Sequence, residues 1–130
     1  MLGQKDATAM VAVEDVTTAR EFYEGTLGFQ PDAGDQDGMV GYHSGRTPFM
    51  LYESAYAGTN QANALAWSVD EDFDTIVKEL TTKGVTFEHY DLPGLTLDGD
   101  VHVADGFKGV WFKDPDGNIL HINGRCRRGD

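Results

Sequence analysis

Along residues 7–14, ATAMVAVE, apolar and polar positions alternate. Ala9, Val11 and Val13 take one side and Thr8, Met10, Ala12 and Glu14 the other, which is the period of a strand. The pattern then changes to a helical one. In DVTTAREFYEGTLGF, Ala19, Phe22, Tyr23 and Thr26 or Leu27 share one stripe. Thr18 with Glu21 predicts a capping box, and Gly28 a left-handed stop. Residues 30–38, with Pro, Gly and Asp, predict a loop or short edge strand. Strands are expected at 39–45 and 47–54 around a Gly45–Arg46 turn, with Phe49, Leu51 and Glu53 on one face and Met50 and Tyr52 on the other. The small, polar stretch 55–63 is a linker.

The order then restarts. Residues 64–70 predict a strand, and Asp70 or Asp72 is expected to cap a helix with Phe73, Ile76, Val77 and Leu80 inward, closed by Lys83 and Gly84. Residues 85–91 predict a strand, and 92–106, rich in Gly and Asp, a long loop over an open face. Two strands, 106–113 and 118–124, flank an Asp114–Pro115–Asp116–Gly117 turn. Val13 matches Val69 at an offset of 56, as do Gly28 with Gly84 and Phe29 with Val85. The chain is therefore read as α+β, one domain over 1–130. It comprises two β-α-β-β-β modules (about 5–56 and 62–124) and a basic tail, 125–130. Such a repeat implies a cupped mixed β-sheet with helices on the outer face and mixed faces lining a cavity.

Composition narrows the classes. With 40% apolar residues, 7 Phe, 5 Tyr and 2 Trp, 130 residues have enough bulk for a core without staples. No apolar run approaches the roughly 20 residues of a bilayer span, and the opening MLGQKDATAM has no basic-then-apolar leader pattern. A single cysteine, Cys126, makes neither an internal disulfide nor a cysteine-rich zinc site, so a cytoplasmic location is expected. Net charge is −12, and residues 1–124 hold 7 bases against 21 acids, Arg125, Arg127 and Arg128 lying in the tail. Such a body repels phosphate backbones and anionic membranes and attracts cations, so neither nucleic acid nor membrane is an expected partner.

Three segments, AREFYEGTLGF after Val13–Glu14–Asp15, VDEDFDTIVKELTTKGV, and WFKDPDGNILHI, resemble the vicinal oxygen chelate superfamily. This family of glyoxalases, extradiol dioxygenases and fosfomycin- and bleomycin-resistance proteins pairs β-α-β-β-β modules into a cupped sheet. The resemblance implies a divalent metal held from four positions. Here they carry Thr8 (seven residues before Asp15), Glu53, Ala64 (six before Asp70) and His121 (four after Gly117). Only Glu53 and His121 are ligand types, and His43, His89 or His102 would have to complete the set; His102 is expected to be exposed. No cofactor is expected, and a divalent metal on Glu53 and His121 is the lesser reading. The resemblance then points to the bleomycin-resistance type: a protein that binds a small, cationic or aromatic antibiotic or metabolite. Met10, Phe49, Leu51, Glu53, Trp111 and His121 are expected on the concave side, with Ala64 and Ala66 leaving room. The alternatives are an acid/base isomerase or epimerase on Glu53 and His121, and a metal-dependent lyase or dioxygenase. A homodimer is expected by the same resemblance, with the strands at 39–54 and 106–113 covering each other's edges.

Overall fold

A computed structural model describes residues 1–32 and 38–125. Part of the expected loop at 30–38, and Cys126, Arg127 and Arg128 of the tail, lie outside the described residues. The fold is α+β, and the chain divides into two compact units. The first is Met1–Thr59 with Pro115–Asn118; the second is Asn60–Asp114 with Ile119 onward.

The first unit contains β1 (Ala9–Val13), α1 (Val16–Arg20), a π-helical continuation over Glu21–Thr26, β2 (Met39–Ser44) and β3 (Thr47–Glu53). The sheet order is β1-β3-β2, with β1 parallel and β2 antiparallel to β3. The helix starts differently from the expected capping box. Asp15 is the N-cap, accepting from the Thr17 N–H at 3.1 Å and the Thr18 hydroxyl at 2.9 Å. Asp15 wins because it directly precedes the first helical residue, so its short side chain reaches the free N–H groups. Leu27 N–H bonds back five residues to the Phe22 carbonyl, and Gly28, at φ +83°, turns the chain out.

Register fixes the faces. Val11, Leu51 and Val40 form one row across the sheet, and Ala9, Phe49 and Tyr42 the next. Tyr23 from the helical segment packs on this face, its ring 6.2 Å from Phe49 and 6.3 Å from Tyr42, and all of these except Ala9 are buried. The expectation that Phe49 and Leu51 face a ligand is therefore corrected. The two do share a face, but helix packing claims it, because that is where the large apolar side chains bury most surface. Met10, with Met50 in register, lies on the opposite face, as does Tyr52.

The second unit contains β4 (Asn63–Ser68), α2 (Phe73–Thr82), β5 (Phe87–Glu88), β6 (Thr96–Asp98), β7 (Val101–Ala104), β8 (Phe107–Lys113) and β9 (Ile119–Gly124). The order is β4-β9-β8-β7-β6, with β5 also on β8. As in the first unit, the opening strand runs parallel to the last, which is antiparallel to the one before it. Asp72, one of the two expected aspartates, holds the N-cap position of α2 without a side-chain cap bond, and a 3-10 turn over Asp70–Asp72, with Asp70 at φ +46°, leads into the helix. The helix lies close on β9. A Cβ at Gly124 would stand 2.7 Å from the Asp70 carbonyl oxygen and 2.9 Å from Phe73 Cβ, so only glycine allows this docking. Lys108 covers the Phe73 ring and pairs with Asp74 at 3.1 Å.

Three further expectations are corrected. The stretch 92–106 is not a plain loop but carries the β6–β7 hairpin, turning at Gly99–Asp100. The strand read at 85–91 pairs only over Phe87–Glu88. The strand at 106–113 offers no edge to a second copy, since β8 has β9 on one side and β5 and β7 on the other. No helix among the described residues is long and apolar enough to cross a membrane.

Candidate functional site

In the second unit α2 covers the face bearing Phe112, Leu120, Val110 and Ile122, so the alternate residues form the face the helix leaves uncovered, which is exposed at Ala66, Ser68 and Leu97 and buried at His121, Gly109 and His102. Two rows cross it. One runs Ala66, His121, Trp111, Glu88; the other runs Ser68, Asn123, Gly109, His102, Leu97. Gly109 leaves a gap in this face, and rings fill it. A Cβ there would lie 2.9 Å from both His121 Cε1 and Phe107 Cζ. His121 is thereby layered between Trp111, stacked at 4.1 Å and 20°, and Phe107, at 6.4 Å and 24°.

The protons of His121 follow from its partners. The Val110 carbonyl only accepts, so Nδ1, 3.0 Å away, carries the hydrogen. Nε2 then holds the lone pair and accepts from the Asn123 amide at 3.1 Å, whose own oxygen accepts from the Ser68 hydroxyl at 2.9 Å. Burial, the largest influence, pushes the His121 pKa below 6.5; the Val110 bond opposes this and His102 adds to it. The imidazole is a neutral, oriented plate.

Trp111 is fixed as firmly. Its indole N–H donates to Asn63 Oδ1 at 3.1 Å, and the pairing of β4 with β9 shifts register between Asn63 and Leu65, at Ala64. The rings of His102 and Tyr90 meet Trp111 edge-on, at 4.8 Å and 81° and at 5.8 Å and 76°. His102 was expected to be exposed and is buried instead, because the β6–β7 hairpin carries it onto the sheet. Its Nε2 accepts from the Tyr90 backbone N–H at 3.0 Å. The arrangement is an aromatic wall with few free rotations, suited to stacking on a planar ring or a cation.

The structure thus brings two of the six sequence-predicted residues, Trp111 and His121, into direct contact. Met10 and Glu53 belong to the first unit, Met10 half-exposed on its open face. Glu53, exposed at the end of β3, accepts from the Val16 N–H at 3.1 Å and so satisfies a free donor in the first turn of α1. Sequence reasoning missed Tyr90, Phe107 and the partner asparagines Asn63 and Asn123, and weighed His102 only as an exposed loop histidine that could complete a metal set. One signal was available for His102: Thr96–Leu97–Asp98 and Val101–His102–Val103 flank Gly99–Asp100, a hairpin pattern.

A second constellation lies at the Asp-Pro-Asp-Gly-Asn turn, whose residues 115–118 pack in the first unit. Asp116 Oδ1 accepts from the Glu14 N–H at 2.8 Å, and Asn118 Nδ2 donates to the Ala12 carbonyl at 2.7 Å. The two side chains clasp the backbone of β1. The most specific sequence motif is accounted for as a structural clasp.

The family model described as the Glyoxalase/Bleomycin resistance protein/Dioxygenase superfamily matches residues 7–122. The chain belongs to this superfamily. Among solved structures it is similar to lactoylglutathione lyase from Agrobacterium tumefaciens (TM-score 0.67, 16% identity, 93% of each chain covered). It is also similar to a glyoxalase/bleomycin resistance protein/dioxygenase from Nocardioides (TM-score 0.65, 15% identity, 93% of this chain and 83% of that one). A third is an integron cassette protein from the mobile metagenome of a Halifax Harbour sewage outfall (TM-score 0.65, 20% identity, 93% of this chain and 98% of that one). At these identities the likeness is one of fold. No curated protein matches the chain.

The residues at the superfamily's metal positions do not fit a divalent ion. Ala64 offers a methyl group and Thr8 a hydroxyl, a poor ligand. The lone pair of His121 Nε2 is taken by Asn123, and one Glu53 oxygen by Val16. His43 pairs with Asp32 at 2.9 Å and His89 with Asp100 at 2.7 Å. Among the described residues no three histidine, cysteine or carboxylate side chains come together.

Proposed function

We propose that this superfamily member is a small-molecule-binding protein, a receptor for a planar, aromatic or cationic ligand that stacks on the uncovered face of the second unit. The observation that carries the reading is the layered Trp111–His121–Phe107 group with His121 satisfied at both nitrogens. A general base needs a lone pair within reach of a substrate proton. His121 spends its lone pair on Asn123, and this favours binding over acid/base catalysis. The net charge of −12 adds a long-range pull on cations.

The test is titration with proflavine, a planar aromatic cation, in a Trp67→Phe background that leaves Trp111 as the sole indole reporter. Saturable quenching that is lost in Trp111→Leu is expected. Absence of quenching by proflavine and by other planar cations overturns the proposal. The acid/base alternative would instead require turnover that disappears in His121→Gln. A homodimer belongs to the same proposal, and sedimentation velocity reads it: a single 14 kDa species would refute it.

A further inference from the structure

Two buried polar atoms beside Trp111 have no hydrogen-bond partner among the described residues: the Tyr90 hydroxyl and His102 Nδ1. Each such vacancy costs roughly 1–3 kcal/mol, and native proteins hold few of them. Their chemical identity is fixed. His102 Nε2 is an acceptor, because the Tyr90 backbone N–H donates to it, so in the neutral ring Nδ1 carries the hydrogen. The Tyr90 hydroxyl also donates. Two idle donors therefore flank the indole, their rings 6.2 Å apart and both edge-on to Trp111.

We propose that Tyr90 and His102 form the polar end of the ligand site and take a hydrogen-bond-accepting oxygen, a ring carbonyl, of a planar aromatic ligand stacked at Trp111. This rests on the binding reading above and adds the ligand's chemical class. Both donor atoms are buried while the Tyr90 residue is partly exposed, so in this proposal the ligand displaces the Tyr90 side chain, which no hydrogen bond from its hydroxyl holds in place. A neutral carbonyl suits the site better than a carboxylate, because Glu88 lies next to Trp111 in register and raises the Tyr90 pKa as burial does.

The experiment is equilibrium dialysis of the full chain with 9-fluorenone and with fluorene, planar tricycles that differ in the ring carbonyl. The wild type is expected to prefer fluorenone by about tenfold. Tyr90→Phe, which deletes one oxygen, and His102→Phe should each lower that preference severalfold, the ratio of fluorenone to fluorene affinity within each variant being what is read. Tyr90→Phe should also unfold at the same or higher urea concentration than the wild type, since it removes an idle buried hydroxyl rather than a used one. Equal affinity for the two compounds, or a preference that survives both variants, overturns the inference. If proflavine quenches Trp111 but fluorenone shows no advantage, only this inference fails. If no planar probe binds, the receptor reading fails with it.

Discussion

His121 and Gly109 show how single positions set the character of the site. His121 enters the fold neutral, its pKa depressed chiefly by burial. The unfolded chain takes up a proton near pH 6.5 whereas the folded chain resists it. Stability is therefore full above that value and declines as pH falls below it, until the lowered folded pKa is passed. Urea unfolding between about pH 7.5 and 5 should show the wild type losing stability faster than His121→Phe; parallel profiles would contradict this. The variant's unpaired Val110 carbonyl and Asn123 amide add an offset, so the slope is what is read. Gly109→Ala should cost about 1–3 kcal/mol in the same measurement, because the new methyl meets two ring carbons at 2.9 Å. Neither role was readable in advance. A histidine on a strand looks the same in sequence whether its lone pair is free or taken, and a glycine inside a strand does not say which rings come to lie over it.

At the level of elements, alternation was a sound guide wherever one face of a strand is apolar: β1, β2, β3, β4, β8 and β9 fall within a residue or two of their expected places. It failed where composition misleads. Gly and Asp in 92–106 suggested a loop, but two of them make the Gly99–Asp100 turn of a hairpin, and it is this hairpin that delivers His102. Alternation also told that Phe49 and Leu51 belong together, but not which face α1 and its continuation would cover. The Asp116 and Asn118 clasp on β1 belongs to this scale too. Asn118→Ala should lower stability by about 1–2 kcal/mol and speed hydrogen exchange at neighbouring β1 amides, because it leaves the Ala12 carbonyl without the bond now made at 2.7 Å. An unchanged unfolding midpoint would show that the clasp is dispensable.

The charge of the whole chain acts over distances that no single contact covers. With 22 acids against 10 bases, a cation is drawn in and salt screens the pull, the Debye length falling from roughly 30 Å at 0.01 M to 3 Å at 1 M. Proflavine association should slow severalfold across that range in stopped-flow measurements, whereas uncharged fluorenone should be almost indifferent to salt. Equal salt dependence for both would remove charge from the account of recognition.

By itself the sequence determined the α+β repeat, the superfamily and the poverty of the metal positions. These follow from local periodicity, from motifs a few residues long, and from which residue types stand at given spacings. The partners of each polar atom were decided only by the tertiary structure. How Asn123 is oriented toward His121 Nε2, and whether Glu53 caps a helix, depend on residues far apart in sequence, Ser68 with Asn123 and Glu53 with Val16, meeting within about 3 Å. Hydrogen bonding is short-ranged and directional, so composition and periodicity carry no record of it.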